Sequence, residues 1–214
     1  MKLHAFTLSL ALSFALAGAA HAQSLPKPAE FYFEADANTA RPIVAVRESG
    51  DAAVERLLKT IKRDPRALEE RAQLARLAMT GGRPELGHEL YAAVFAGLDA
   101  HHSMWRSAHW NYGWDLYRTG DYAGALKQWE PLVTQFGARQ PTAAWMPPTL
   151  ALVLWQLGRR DEAVQWYAAA VRTEPTQWAT SARFATLLPE WRDEERTTLA
   201  EVQQAWAANP PSWP

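Results

Sequence analysis

The pattern of apolar and polar positions is clearest between His109 and Phe136. Small residues (Gly113, Ala125) alternate at helical spacing with large ones (Tyr112, Leu116, Trp129, Leu132), and Thr119-Gly120-Asp121 interrupts the pattern. This predicts a helix, a tight turn and a second helix. Such a hairpin cannot bury its apolar faces alone and requires neighbours of the same kind. The chain supplies them at a fixed interval. Gly82, Gly87 and Tyr91 are followed 38 residues later by Gly120, Ala125 and Trp129, and 38 later again by Gly158, Ala163 and Tyr167. Leu74, Tyr112 and Leu150 share one column, Ala75, Gly113 and Ala151 the next, and Ala78, Leu116 and Leu154 another. Beyond the turn, Val94, Leu132 and Ala170 coincide. Agreement of so many columns predicts a repeated helical hairpin. In each, small residues let two backbones approach, an aromatic fills the space to the next hairpin, and glycine ends the first helix in a left-handed conformation.

On either side the pattern is looser. Residues 23–50 read as an irregular lead-in, with a short helical turn at Pro42 to Val46 and Phe31 to Phe33 docking on the first helices. Residues 51–63 form a helix capped by Asp51, with Val54, Leu57, Leu58 and Ile61 on one face. Asp64-Pro65 supplies an N-cap and first helical position for the next helix. After Pro175, one helix is expected from Trp178 to Leu188 and a terminal one from Asp193 to Ala207, with Leu199, Val202 and Trp206 on a single stripe as a solvated cap needs. Residues 209–214 are an irregular tail.

The run Leu150-Ala151…Leu154…Gly158…Ala163…Tyr167…Ala170…Pro175 resembles a tetratricopeptide repeat, as does Tyr112-Gly113…Leu116-Tyr117…Gly120-Asp121-Tyr122…Ala125…Trp129. The resemblance implies an all-α fold, an α-solenoid of antiparallel hairpins wound into a right-handed superhelix. It covers residues 66–99, 105–137 and 143–175, inside a helical domain of 51–208 with flanking helices at 51–63 and 176–208. The chain departs from the family pattern in its 38-residue interval, placed in longer connections near Ala100 to Ser103 and Ala138 to Pro141. The closing proline appears only as Pro175, with Asp99 and Gly137 elsewhere, and Gly87 stands where alanine is usual. Pro131 should bend or shorten a second helix, and Pro147-Pro148 should delay the last repeat's first helix.

By the family's pattern the first helices line a concave groove. Glu69, Gln73, Arg76 and Met79 would face it from the first repeat. Ser107, Trp110, Asn111, Trp114, Tyr117 and Arg118 would do so from the second, and Trp145, Thr149, Leu152, Trp155 and Gln156 from the third. Of the residues that clamp a terminal carboxylate in some family members, only Asn111 is present; Ala72 and Arg76 occupy two of the other positions. An aromatic groove with two arginines instead suits an extended, proline- or aromatic-bearing peptide. The expected contacts are Arg76, Trp110, Asn111, Trp114, Tyr117, Arg118 and Trp155, whereas Trp129, Trp166 and Trp206 follow the packing stripe of second helices.

Composition narrows the function further. The charge is nearly balanced, 22 Lys+Arg against 23 Asp+Glu, so no basic field is available to collect nucleic acid. The 214 residues contain no cysteine, which removes disulfides, thiolate metal sites and cysteine nucleophiles. Residues 1–22 carry one charge, Lys2, an apolar run from Ala5 to Gly18, and Ala20-His21-Ala22 at the end. That is the form of a secretory signal cleaved after Ala22, and it predicts a periplasmic protein without stable membrane insertion after cleavage. His88-Glu89 begins a zincin motif that Ala92 breaks, and His101-His102 sits in a connection; no metal or cofactor is expected. Without a Gly-x-Ser-x-Gly, phosphate-loop or dinucleotide fingerprint, the expectation is a non-catalytic protein-binding scaffold. The alternative is a glycan- or peptidoglycan-binding envelope protein that stacks sugars on some of its 11 tryptophans.

Overall fold

The computed structural model describes residues 25, 26, 28, 41–134 and 144–212. The expected signal at 1–22, the docking of Phe31 to Phe33 and the connection near 138–141 lie outside them. The described residues are helical, without strands. In chain order the helices are α1 Gly50–Arg63, α2 Leu68–Thr80, α3 Pro84–Ala96, α4 Trp105–Arg118, α5 Tyr122–Thr134, α6 Met146–Gln156 and α7 Arg160–Thr173. The short α8 Pro175–Trp178 and α9 Phe184–Leu187 follow, then α10 Asp193–Ala208. The closest partners are α2 with α3, α4 with α5 and α6 with α7, so adjacent helices pair as antiparallel hairpins. The final helix, α10, packs on both α6 and α7.

The hairpins share one internal logic. First helices end at Thr80, Arg118 and Gln156, and second helices begin at Pro84, Tyr122 and Arg160, all at the 38-residue interval. Gly82, Gly120 and Gly158 have φ of 75°, 88° and 72°, a region that a Cβ disfavours. The turn closes with the amide three residues past each helix end bonding to the carbonyl five positions before it. Arg83 bonds to Ala78 at 2.9 Å, Asp121 to Leu116 at 3.0 Å and Arg159 to Leu154 at 2.9 Å, as in a Schellman end. Tyr91, Trp129 and Tyr167 are all fully buried, as one column requires. Gly113 shows why its column is small. A Cβ there would come within 2.1 Å of Trp129 Nε1, whose N–H donates to the Trp110 carbonyl at 3.3 Å.

Several local expectations need correction. The Pro42–Val46 segment is not helical. Asp51 lies in the first turn of α1, which starts at Gly50 after Ser49 without a side-chain cap. On α1 it is Ala53 and Leu57 that are buried, and Leu58 is 52% exposed. Asp64 does not cap α2, which begins at Leu68; its carboxylate accepts from the Arg66 amide at 2.8 Å and makes a local turn instead. The α5 helix continues past Pro131 to Thr134. The lost N–H would have bonded one turn back at Lys127, which lies on the exposed side. Pro147 and Pro148 stand in the first turn of α6, where a missing N–H costs nothing, and α6 starts later in the register than α4 does. The expected helix from Trp178 to Leu188 is broken. Thr180 is extended, and a 3-10 turn at Ser181–Arg183 leads into α9. This stretch is pinned from outside. Tyr167 donates to the Trp178 carbonyl at 2.5 Å, Gln203 to the Ala179 carbonyl at 3.0 Å and Arg196 to the Leu188 carbonyl at 3.0 Å.

Candidate functional site

Five of the seven expected contact residues meet at one cavity of about 450 Å³. Arg76 reaches it from α2, and Trp110, Asn111, Trp114 and Arg118 from α4; Trp145, Pro42 and the return segment from Thr186 to Trp191 complete the wall. Their grouping follows from helical spacing: Trp110, Trp114 and Arg118 lie four apart along one face, and Asn111 stands one residue round from it.

The tryptophans form walls and are themselves packed. Trp110 is 9% exposed and Trp114 7%. The Trp110 ring lies 3.8 Å from that of Trp145, and the Trp114 ring meets Trp191 edge-on at 5.0 Å. Arg118 is committed to the fold. Its guanidinium donates to both carboxylate oxygens of Glu195 on α10, at 2.8 and 3.2 Å, and to the Glu190 carbonyl at 3.3 Å. Its charge also sits 5.0 Å over the Trp114 ring. Glu195 is buried and accepts from the Arg192 amide at 2.8 Å, so one carboxylate both caps α10 and ties it to α4. Arg76 differs. It is half-buried, lines the cavity and makes no side-chain hydrogen bond or ion pair among the described residues.

Asp115 is the residue that the sequence reading passed over. It lies at the cavity, 3% exposed, and accepts from the Tyr91 hydroxyl at 2.6 Å. Burial pushes its carboxyl up to about 6, against the opposing effects of the Tyr91 hydrogen bond and the Arg76 and Arg118 charges. Burial and the Asp115 charge also hold the Tyr91 hydroxyl firmly protonated. A carboxylate in the middle of an aromatic run was the available signal.

Tyr117 and Trp155 do not line the cavity. Tyr117 is buried among Trp114, Tyr122 and Trp129. Trp155 faces α10, its N–H donating to Glu201 at 2.8 Å and its ring lying 3.6 Å under Arg160. Trp129 and Trp166 are buried, and Trp206 packs against the core. The histidines of the hairpins are hydrogen-bonded within them: the exposed His88 meets the Tyr112 hydroxyl at 2.8 Å, and the part-buried His109 meets the Gln128 amide at 2.9 Å.

Beside the cavity, the α2/α4 face already holds a piece of chain. From Arg41 to Val46 the backbone crosses both helices. Ser107 Oγ accepts from the Arg41 amide at 3.0 Å. Asn111 donates to the Arg41 carbonyl at 2.6 Å and accepts from the Ile43 amide at 3.3 Å. Gln73 accepts from the Val46 amide and donates to its carbonyl, both at 2.8 Å. The N–H and C=O of Arg41 and the N–H of Ile43 point to one side, as in an extended strand. A bend at Ala45 turns Val46 toward Gln73. Ile43 and Val46 are buried, whereas Val44 between them is 57% exposed.

No protein-family model matches the chain, and no curated protein resembles it in sequence. Among the described residues no helix is long and apolar enough to cross a membrane.

Proposed function

We propose that this chain is a non-catalytic scaffold of tetratricopeptide-type hairpins, exported to the periplasm, that holds a partner protein by an extended segment laid along the α2/α4 face. One observation carries the reading. The carboxamides of Gln73 and Asn111 each present a donor and an acceptor to an extended backbone, and each has both satisfied by the strap from Arg41 to Val46. A side-chain amide can do this for any peptide of that shape, since the groups it reads are common to all residues. The adjoining cavity, with Arg76 on its wall, supplies the discriminating contact. The shared interval of helix ends and glycine turns supports the solenoid, in which hairpins of one register stack on each other.

The sugar-binding alternative draws less support. Stacking a sugar needs an open aromatic face, and the rings of Trp110, Trp114 and Trp155 are covered by Trp145, Trp191 and Arg160 respectively.

The test is affinity capture from an envelope extract by the mature chain and by its Arg76→Gln variant. The wild type is expected to retain a partner that the variant loses at least tenfold, with unchanged helical circular dichroism. Equal retention refutes the assignment of the cavity to partner binding. Fractionation should place the protein in the periplasm with Gln23 at its N-terminus.

A further inference from the structure

The strap has the form of a bound peptide more than of a built-in element. Hydrogen bonds from side chains of α2 and α4 hold it: Ser107 once, Asn111 twice and Gln73 twice. Among the described residues no backbone ladder joins it to the body. Only Ile43 and Val46 are buried, and they enter different clusters, Ile43 the main core and Val46 the small one formed with Ala53, Leu57 and Leu74. Pro42 borders the cavity. The joint to the body lies at the surface: Arg47, Glu48 and Ser49 are exposed, the tie there is the solvent-facing Glu48–Arg56 ion pair, and Gly50 follows with φ 63°. A segment held in this way releases from an intact body more readily than a helix does.

We propose that the Arg41–Val46 strap is an intrachain competitor, which occupies the α2/α4 face in place of a partner segment of the same chemistry and is displaced when that segment binds. The segment has a proline followed by two apolar side chains three residues apart, as in Pro42, Ile43 and Val46. Its backbone is read by Gln73, Ser107 and Asn111. The inference rests on the peptide-binding reading above and adds the pattern of the ligand and the regulation of the site. Because the competitor is tethered, its effective concentration is in the millimolar range for a short flexible link, so a free peptide must bind well to displace it.

The experiment uses a fluorescein-labelled peptide of residues 39–49, TARPIVAVRES, and fluorescence anisotropy. The full mature chain carrying Ile43→Asp and Val46→Asp loses its own competitor and keeps the reading residues. It should bind the peptide at least tenfold more tightly than the wild type does, and adding Gln73→Ala and Asn111→Ala should abolish the gain. Equal affinity of wild type and released variant overturns the inference, as does binding that survives loss of both amides. If the aspartate variant fails to fold, hydrogen exchange of the wild type decides. The Ile43 and Val46 amides should exchange at least a hundredfold faster than the core amides of α4, and equal rates overturn the proposal. Light scattering must show a monomer; a dimer with exchanged straps would mean that a second copy is the occupant. Peptide binding by the released variant without any captured envelope partner defeats the functional reading alone. Capture that is indifferent to strap release defeats the competitor alone.

Discussion

Replacing Asp115 with asparagine should flatten part of the dependence of stability on pH. In the folded chain this carboxyl is buried beside Trp114 and Leu116 in α4, with the Tyr91 hydroxyl as its donor. Its pKa lies at about 6, above the ordinary value of 3.8. The folded protein therefore holds the proton more tightly than the unfolded chain does. The stability gained from the neutral form is fully present below about pH 4 and is lost as the pH rises through 6. At 1.36 kcal/mol for each pH unit, that gap amounts to roughly 3 kcal/mol. Asparagine keeps an oxygen for Tyr91 but has no charge to bury. Urea denaturation of both proteins at pH 4, 5, 6 and 7.5 isolates the effect, since every other titrating group is common to the pair. The variant should gain on the wild type by roughly 2.5 kcal/mol between pH 4 and 7.5, with most of the change before pH 6.5. Parallel stability curves would refute the assignment of a buried, ionising carboxylate at this position.

Other substitutions test the rest of the construction. Glu195→Ala leaves the Arg118 guanidinium without its carboxylate and removes the α10 cap; because Arg118 is 18% exposed, a loss of about 3 kcal/mol is expected in urea denaturation. Gly113→Ala drives a methyl into Trp129, so a loss of about 1–3 kcal/mol and a changed tryptophan emission should follow. Gly120→Ala meets no neighbour but forces a side chain to φ 88°, at about 1 kcal/mol, read as a lower melting temperature. Tyr91→Phe removes the donor to Asp115 and should move the pH-dependent loss of stability to higher pH, measured in the same titration.

The hairpins were legible because their physics is local and periodic. The column Tyr91, Trp129 and Tyr167 is buried throughout, and the glycines at 82, 120 and 158 take the left-handed turn that the spacing requires. The face of α4 was legible for the same reason, so Arg76, Trp110, Asn111, Trp114 and Arg118 converge. What covers that face was not legible. The strap reaches Asn111 from 70 residues away and the return segment reaches Arg118 from 72, and no periodicity encodes such contacts. The return segment and the residue that precedes α6 also redirected the tryptophans. Without Trp191 and Trp145, Trp114 and Trp110 would stand open as groove residues; with them they become walls. The break after Trp178 has the same origin. Thr180 and Ser181 yield a helix to a chain pinned by Tyr167, Gln203 and Arg196, an instance of tertiary contacts overriding local preference.

A partner peptide on the α2/α4 face would lie beside Arg76. Photo-crosslinking in cells tests this placement most directly, with p-benzoylphenylalanine placed at Arg76 and, as a control, at the exposed Leu86 of α3. An adduct is expected at position 76 that maps to one contiguous segment of a single partner and is missing at position 86. Equal adducts at both positions, or none at 76, would contradict the placement.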